Sequence, residues 1–255
     1  MAFIRPFRSS DTEMAMHICR ATLPPSLASS EPGRRIAPYV WTLQFTYLCP
    51  QHCFVVDDGT GRAVGYVIGC PDVFAFASVY PRYVAEVLQG TEAGRRDVPT
   101  PPQLERLEPM FFRGAEGAAS VPTVNEVGIA QLAYNPRWLL LEGPPGRSDL
   151  VRQYRATMHI DLLPEFQGQG WGRQLIDRFA DSVRVAATAA SQGEGEVEGD
   201  QTSEAEGKPA IDFGKGIQIG VSGENTKVVP FYEKVRFRVY PGGEREGNVW
   251  MVRDL

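Results

Sequence analysis

The chain has 255 residues, 43% hydrophobic and 22% charged, with a formal net charge of −5. That is ordinary globular composition. It excludes a bilayer-spanning segment, which needs about 20 consecutive apolar residues, and it offers no basic footprint for nucleic acid. The first residues lack the basic-then-apolar pattern of a secretory signal. The expected setting is therefore cytoplasmic, with the nucleus open and no membrane partner, and the four cysteines are expected to be reduced.

In chain order, residues 3–8 read as a first strand. Ser9, Ser10 and Asp11 form an N-cap cluster, after which Met14, His17, Ile18 and Ala21 share one helical face, which should be buried. Residues 24–36 are rich in Pro, Ser and Gly and read as a loop, and residues 37–48 as a second helix. Strands follow at 53–56 and 63–69, joined by the hairpin signal Asp57-Asp58-Gly59-Thr60-Gly61. Cys49 and Cys53 flank His52, which invites a zinc reading. The chain has 3 His and no second Cys pair at ligand spacing, so no metal is expected. Residues 71–150 are too long to be structureless inside a compact domain. A helical stretch near 83–88 and the apolar pieces at 110–112 and 138–141 imply that this segment packs.

The next stretch carries the chemistry. An apolar strand containing His159, Asp161, Leu162 and Leu163 runs into Gln167-Gly168-Gln169-Gly170-Trp171-Gly172-Arg173, and a helix follows from Arg173 to about Val185. Small turn residues let successive backbone N–H groups converge, and the helix adds its positive dipole end, so the geometry suits a diphosphate. Gly172 is followed by Arg173 and Gln174, not Lys and Ser/Thr, so this is not a P-loop. The spacing of Gly168, Gly170 and Gly172 is also not GxGxxG, which sets aside the dinucleotide fingerprint. A ligand-free Gly-rich turn remains the bland alternative. Residues 191–208 are acidic and of low complexity, and read as a flexible, solvated loop, with attraction of basic substrates as a second role. Ile217 to Ser222 alternate as a strand. Asn225, Phe231, Tyr232, Lys234 and Phe237 follow, and Pro230 among them is tolerable in a helix only near its start.

Gln167, Gly170 and Gly172 satisfy Q/R-x-x-G-x-G/A, and the Asn225–Phe237 pattern agrees with it. Together they resemble the GNAT superfamily of N-acetyltransferases. Val228 and Arg236 depart from that pattern; Arg236 stands where the family has Gly, and in a left-handed conformation it would cost roughly 1 kcal/mol. Residues 65–72 and 159–172, with the long insertion, resemble more narrowly the acetyltransferase-like domain of O-GlcNAcases and its stand-alone microbial relatives. The resemblance implies an α/β fold over residues 1–255: a central twisted mixed sheet flanked by helices and splayed at the coenzyme site, with the 71–150 insertion over the acceptor side.

It also implies direct acetyl transfer from acetyl-CoA to an amine. The acceptor is expected to be a small molecule, such as an amino sugar, with a lysine-containing peptide as the alternative. A non-catalytic acetyl-CoA sensor is the reading from another class. Residues 167–172 would hold the pyrophosphate through backbone N–H groups and Arg173 through its charge. Leu162 and Leu163 would pair with the pantetheine arm, and Asn225 would bond its amide. Tyr232 would protonate the departing thiolate. His159 and Asp161 are two apart on a strand and so share a face. They are candidates for accepting the amine proton, for binding the ammonium, or for a purely structural polar pair; if they point into helix-covered interior, water would carry the proton instead.

Overall fold

The structure, a computed structural model, describes residues 1–112, 123–143, 145–192, 211–245 and 248–255. Strand β1 (Phe3–Pro6) leads into helices α1 (Thr12–Ala21), α2 (Pro25–Ala28), α3 (Glu31–Trp41) and α4 (Leu43–Leu48), then strands β2 (Phe54–Asp57) and β3 (Ala63–Cys70). Helices α5 (Val73–Tyr83) and α6 (Glu92–Asp97), an antiparallel pair of two-residue strands, β4 (Phe111–Phe112) and β5 (Thr123–Val124), and helices α7 (Glu126–Tyr134) and α8 (Arg147–Gln153) fill the insertion. Strand β6 (Ala156–Leu162), helix α9 (Trp171–Gln192), strand β7 (Gly216–Val221), helix α10 (Val229–Lys234) and strands β8 (Arg238–Arg245) and β9 (Asn248–Asp254) complete the chain.

The main sheet has seven strands in the order β1-β2-β3-β6-β7-β9-β8. β6 and β7 are its parallel pair, and its other neighbours are antiparallel. Strand β3 is buried along its whole length, as a central strand covered on both faces must be. One face carries Tyr66, Ile68, Thr157, His159 and Asp161, since residues opposite one another in register point the same way. This face lies against α1 and the α3–α4 junction, where Thr42 comes within 3.4 Å of the Tyr66 hydroxyl. The other face packs on α9, so closely that a Cβ at Gly69 would sit 2.9 Å from the Phe179 ring.

Several sequence expectations need correction. The buried stripe of α1 is Ala15, Met16, Ile18 and Cys19, and His17 is exposed. The helix is rotated because the i, i+3, i+4 set 15, 18 and 19 carries smaller, wholly apolar side chains that fit against β3. Residues 24–36 are not a loop: Pro25 and Pro32 sit in the first turns of α2 and α3, where a missing N–H is harmless. The expected helix 37–48 is broken at Thr42 into α3 and α4. Helix α9 reaches Gln192, past Val185 and into the segment read as acidic loop; from residue 193 to 208 that segment lies outside the described residues. Strands β8 and β9 went unread, because glycines and charges interrupt their alternation.

The insertion packs on the outer side of α3 and α4. Tyr83 donates to the Tyr39 carbonyl (2.8 Å), Tyr80 to the Ala133 carbonyl (2.8 Å), and Tyr39 to Asp97 (3.0 Å). Arg35 bridges α3 to Glu126 on α7. Among the described residues no helix is long and apolar enough to cross a membrane.

At the opposite edge, Arg5 fastens β1 to its neighbours. Its guanidinium makes a two-pronged contact with Asp11 (2.7 and 2.8 Å) and a third bond to Asp57 (2.8 Å), and all three groups are buried. Burial alone would raise both carboxyls, but the Arg5 hydrogen bonds and the local backbone N–H groups hold each below the usual range. Arg5→Ala leaves two buried carboxylates without a counter-charge and should cost about 3–5 kcal/mol at neutral pH in denaturant titration. A depressed carboxyl pKa stabilises above the unfolded value and is lost as pH falls through the folded one. The gap between wild type and variant should therefore close on acidification below about pH 4.

Candidate active site

The sheet opens between β6 and β7. Their pairing is confined to Ala156 with Ile217 and Thr157 with Gln218. Beyond that, β6 continues along β3 as far as Leu162 opposite Gly65, and β7 continues along β9 as far as Val221 opposite Val249. The two parallel strands thus diverge, and the β7-facing edge of β6 loses its partner. Leu163 N–H donates to the Val64 carbonyl at 3.0 Å. Since backbone groups alternate sides along a strand, 157, 159 and 161 also face β3, while Ile160 and Leu162 face the opening. Leu163 is therefore not free to pair with a ligand in the splay, contrary to expectation. The backbone groups of Ile160, which the sequence did not single out, lie on the open side instead.

At the mouth of the opening lies the glycine turn. Gly168 (φ 72) and Gly170 (φ 85) adopt left-handed backbone that other residues enter at a cost of roughly 1 kcal/mol. Gln167 Nε2 donates to the Leu162 carbonyl (2.8 Å) and Gln169 Nε2 to the Glu165 carbonyl (2.7 Å), so both side chains brace the turn. Among the described residues, the backbone N–H groups of residues 168–173 meet no protein acceptor. They combine the turn with the unsatisfied first turn of α9, which starts at Trp171, and this makes an anion cradle. Arg173 donates to the Lys234 carbonyl (3.0 Å), so its guanidinium is turned toward the end of α10.

The chain also matches solved structures over nearly its whole length. SsHAT shares 23% identity with a TM-score of 0.66, covering 99% of this chain and 98% of that one. The protein PH1933 from Pyrococcus horikoshii OT3 (13% identity, TM-score 0.48, 100% and 99% coverage) and an agmatine N-acetyltransferase mutant in its apo form (12%, 0.47, 100% and 99%) also align. No protein-family model matches the sequence. The splayed mixed sheet and the first of these likenesses decide the architecture. This chain has the GNAT fold.

Within that fold, Asp161 is an electrostatic hub. Its Oδ2 accepts from the Tyr66 hydroxyl at 2.6 Å and from His159 Nε2 at 2.9 Å. The His159 side chain keeps 37% of its exposure and Asp161 18%, so the helices over this face leave the pair in contact with solvent. With Nε2–H committed to Asp161, Nδ1 of a neutral His159 is the free lone pair. Burial lowers the His159 pKa, but the charge of Asp161 and the hydrogen bond outweigh it, and the net shift is upward. The other histidines are differently placed. His17 is exposed, while His52 is buried against Ser182 (3.1 Å) and burial pulls its pKa down to about 4. Neither Tyr66 nor Thr42 was read as a site residue in the sequence; the register sets Tyr66 opposite Asp161, and the α3–α4 junction brings Thr42 to Tyr66.

Tyr232 lies on α10 across the opening. Burial, and then the charge of Asp161, raise its pKa, so the phenol stays protonated at neutral pH. A Schellman turn holds it in place: Phe237 N–H donates to the Tyr232 carbonyl (3.0 Å), Arg236 N–H to the Glu233 carbonyl (3.0 Å), and the Phe237 ring meets the Tyr232 ring at 5.5 Å. α10 is pressed against the glycine turn, where a Cβ at Gly172 would fall 2.8 Å from Phe231. Asn225 is exposed on the 3-10 segment Gly223–Val228 at the end of β7, the far lip of the opening. Glu224 beside it accepts from the Ser26 N–H of α2 at 3.3 Å. The predicted residues 159, 161, 162, 167–173, 225 and 232 thus ring one opening.

The left-handed position of that turn is Arg236 (φ 73), where the family pattern has Gly. Arg236→Gly removes the strain at the cost of some unfolded-state entropy. Denaturant titration should show a gain of about 0.5–1 kcal/mol; a loss would mean that the Arg236 side chain contributes more than its backbone strain costs.

Proposed function

We propose that this protein transfers the acetyl group of acetyl-CoA directly to a primary amine. The observation that carries this reading is the combination of diverging strands with an unpaired β6 edge and a run of free backbone N–H groups at the mouth. A coenzyme with a diphosphate and an extended amide-bearing arm matches both. The N–H groups of residues 168–173 bind the diphosphate. Ile160 and Leu162 pair with the arm, Leu162 through its N–H because its carbonyl is held by Gln167. Asn225 supplies an amide contact from the opposite lip. Arg173 joins the diphosphate by leaving the Lys234 carbonyl.

Acetyl-CoA supplies the thioester. The amine nitrogen forms the new C–N bond and the C–S bond breaks. Tyr232, protonated and across the opening, gives its proton to the leaving sulfur. The amine proton passes to Nδ1 of His159, and Asp161 stabilises the imidazolium that results. Asp161 also attracts the ammonium form of the acceptor before it loses that proton. A small amine is favoured over a peptide because the Ser26–Glu224 bond ties α2 across the open end of the sheet, where a peptide would need a free groove.

The test is CoA release from acetyl-CoA against amino sugars, polyamines, amino acids, arylamines and lysine peptides, with products identified by mass spectrometry. Acceptor-dependent release should fall by about 10²–10⁴-fold in Tyr232→Phe with acetyl-CoA affinity retained. Tight coenzyme binding with no release from any acceptor would favour a sensor, and absence of binding would remove the whole reading.

The pH profile tests the base separately. The rate rises with pH as His159 loses its proton, and Asp161 is what raises that pKa. In Asp161→Asn the acid limb of kcat/KM should move to lower pH while the maximal rate drops. An unmoved limb assigns the proton to water.

A further inference from the structure

Arg147, the first residue of α8, has no role in the chemistry above, yet it is a buried cation. It is 5% exposed. Its guanidinium lies over the Trp250 ring, 4.0 Å from the centroid. Nη1 donates to Gln218 Oε1 (2.8 Å) and Nη2 to the Leu140 carbonyl (2.9 Å). Both acceptors are neutral, and no carboxylate among the described residues forms an ion pair with it. Two buried donors remain without an acceptor: Nε of Arg147 and Nε2 of Gln218, the latter residue 1% exposed. The amide of Gln218 cannot be reversed to relieve this, since its NH₂ would then face Nη1. Burial pulls the Arg147 pKa down to about 9, so the group is still charged at neutral pH.

An uncompensated buried charge with orphaned donors beside it is costly unless something answers it. A cavity of about 70 Å³ adjoins the site, lined by Arg147, Leu150, Tyr240, Gly243 and Trp250. It lies beneath the irregularity where β8 leaves β9 between Val239 and Glu244. That volume exceeds what one water needs and admits a group of a few heavy atoms. Gln218 is the register partner of Thr157, so the site shares a sheet face with His159 and Asp161 but lies on the β7 side of the opening.

We propose that this cavity binds a small oxyanion, the carboxylate or phosphate group of a ligand, with Arg147, the charged residue of its lining, as the counter-charge. The planar guanidinium backed by an indole suits a two-oxygen acceptor. The site does not depend on acetyl transfer.

Thermal unfolding in phosphate and, separately, in acetate, with ionic strength held by chloride, tests it in three proteins. At about a hundredfold excess over Kd, the binding anion should raise the wild-type Tm by about 5–10 °C, and the two arms identify which group is preferred. Gln218→Glu places a carboxylate against Arg147. It should raise the Tm in chloride and weaken the anion response at least about tenfold. Arg147→Met, which keeps the volume of the stem, should lose the response. The proposal fails if neither anion exceeds chloride with wild type. It fails equally if both variants respond as wild type does, because the anion is then held elsewhere, for instance at the glycine turn. If Gln218→Glu does not fold, Arg147→Met alone decides between the two.

Discussion

The divergence of β6 from β7 after Thr157 and Gln218 is the constraint on which the rest of the structure depends. A sheet normally spends every backbone N–H and C=O on its neighbours. Here β3 and β9 hold the two parallel strands on their outer sides, so the strands separate without unravelling. The unpaired edge at Ile160 and Leu162 survives because it borders the opening. The glycine turn, α9 and α10 then have fixed places around it, and Gly172 sets how closely Phe231 can approach.

Charge across this opening is organised by one carboxylate. Asp161 holds Tyr66 and His159 on the same oxygen and raises the pKa of both His159 and Tyr232. A group able to accept a proton and a group able to donate one thus respond to a single negative charge from opposite sides. The Tyr66 hydroxyl, wholly buried, fixes the carboxylate against rotation. The Schellman turn plays the corresponding part for Tyr232, with Phe237 supplying both the hydrogen bond and the apolar contact, and it does so with a strained Arg236 in the position of the usual glycine.

The insertion between β3 and β6 strengthens the helical layer over this face. Its tyrosines reach into α3 and its own α7, and Arg35 joins α3 to Glu126, so α3 and α4 are clamped from outside while they cover Tyr66 from inside. At the far end of the sheet, Arg147 contrasts with Arg5. One buried guanidinium has two carboxylates; the other has two neutral acceptors and an aromatic ring.

Asn225 and Tyr232 were marked only by resemblance to the GNAT pattern, whereas local sequence determined the β6–turn–α9 unit with its glycine turn from Gln167 to Gly172, the hairpin of β2 and β3, and strand β7. Strand alternation, glycine in left-handed turns and helix-start chemistry act over a few residues, so neighbours in the chain suffice to show them. The shared face of His159 and Asp161 was legible for the same reason. Tertiary structure alone decided which backbone groups were free, excluding Leu163 and including Ile160, because that depends on the partner strand Val64 offers. It alone turned His17 outward, broke the second helix at Thr42, and brought Tyr66 to Asp161 and Arg147 to Gln218 across 95 and 71 residues of chain. Contacts between segments so far apart leave no periodic trace in sequence, and they come into being only when the sheet sets its register.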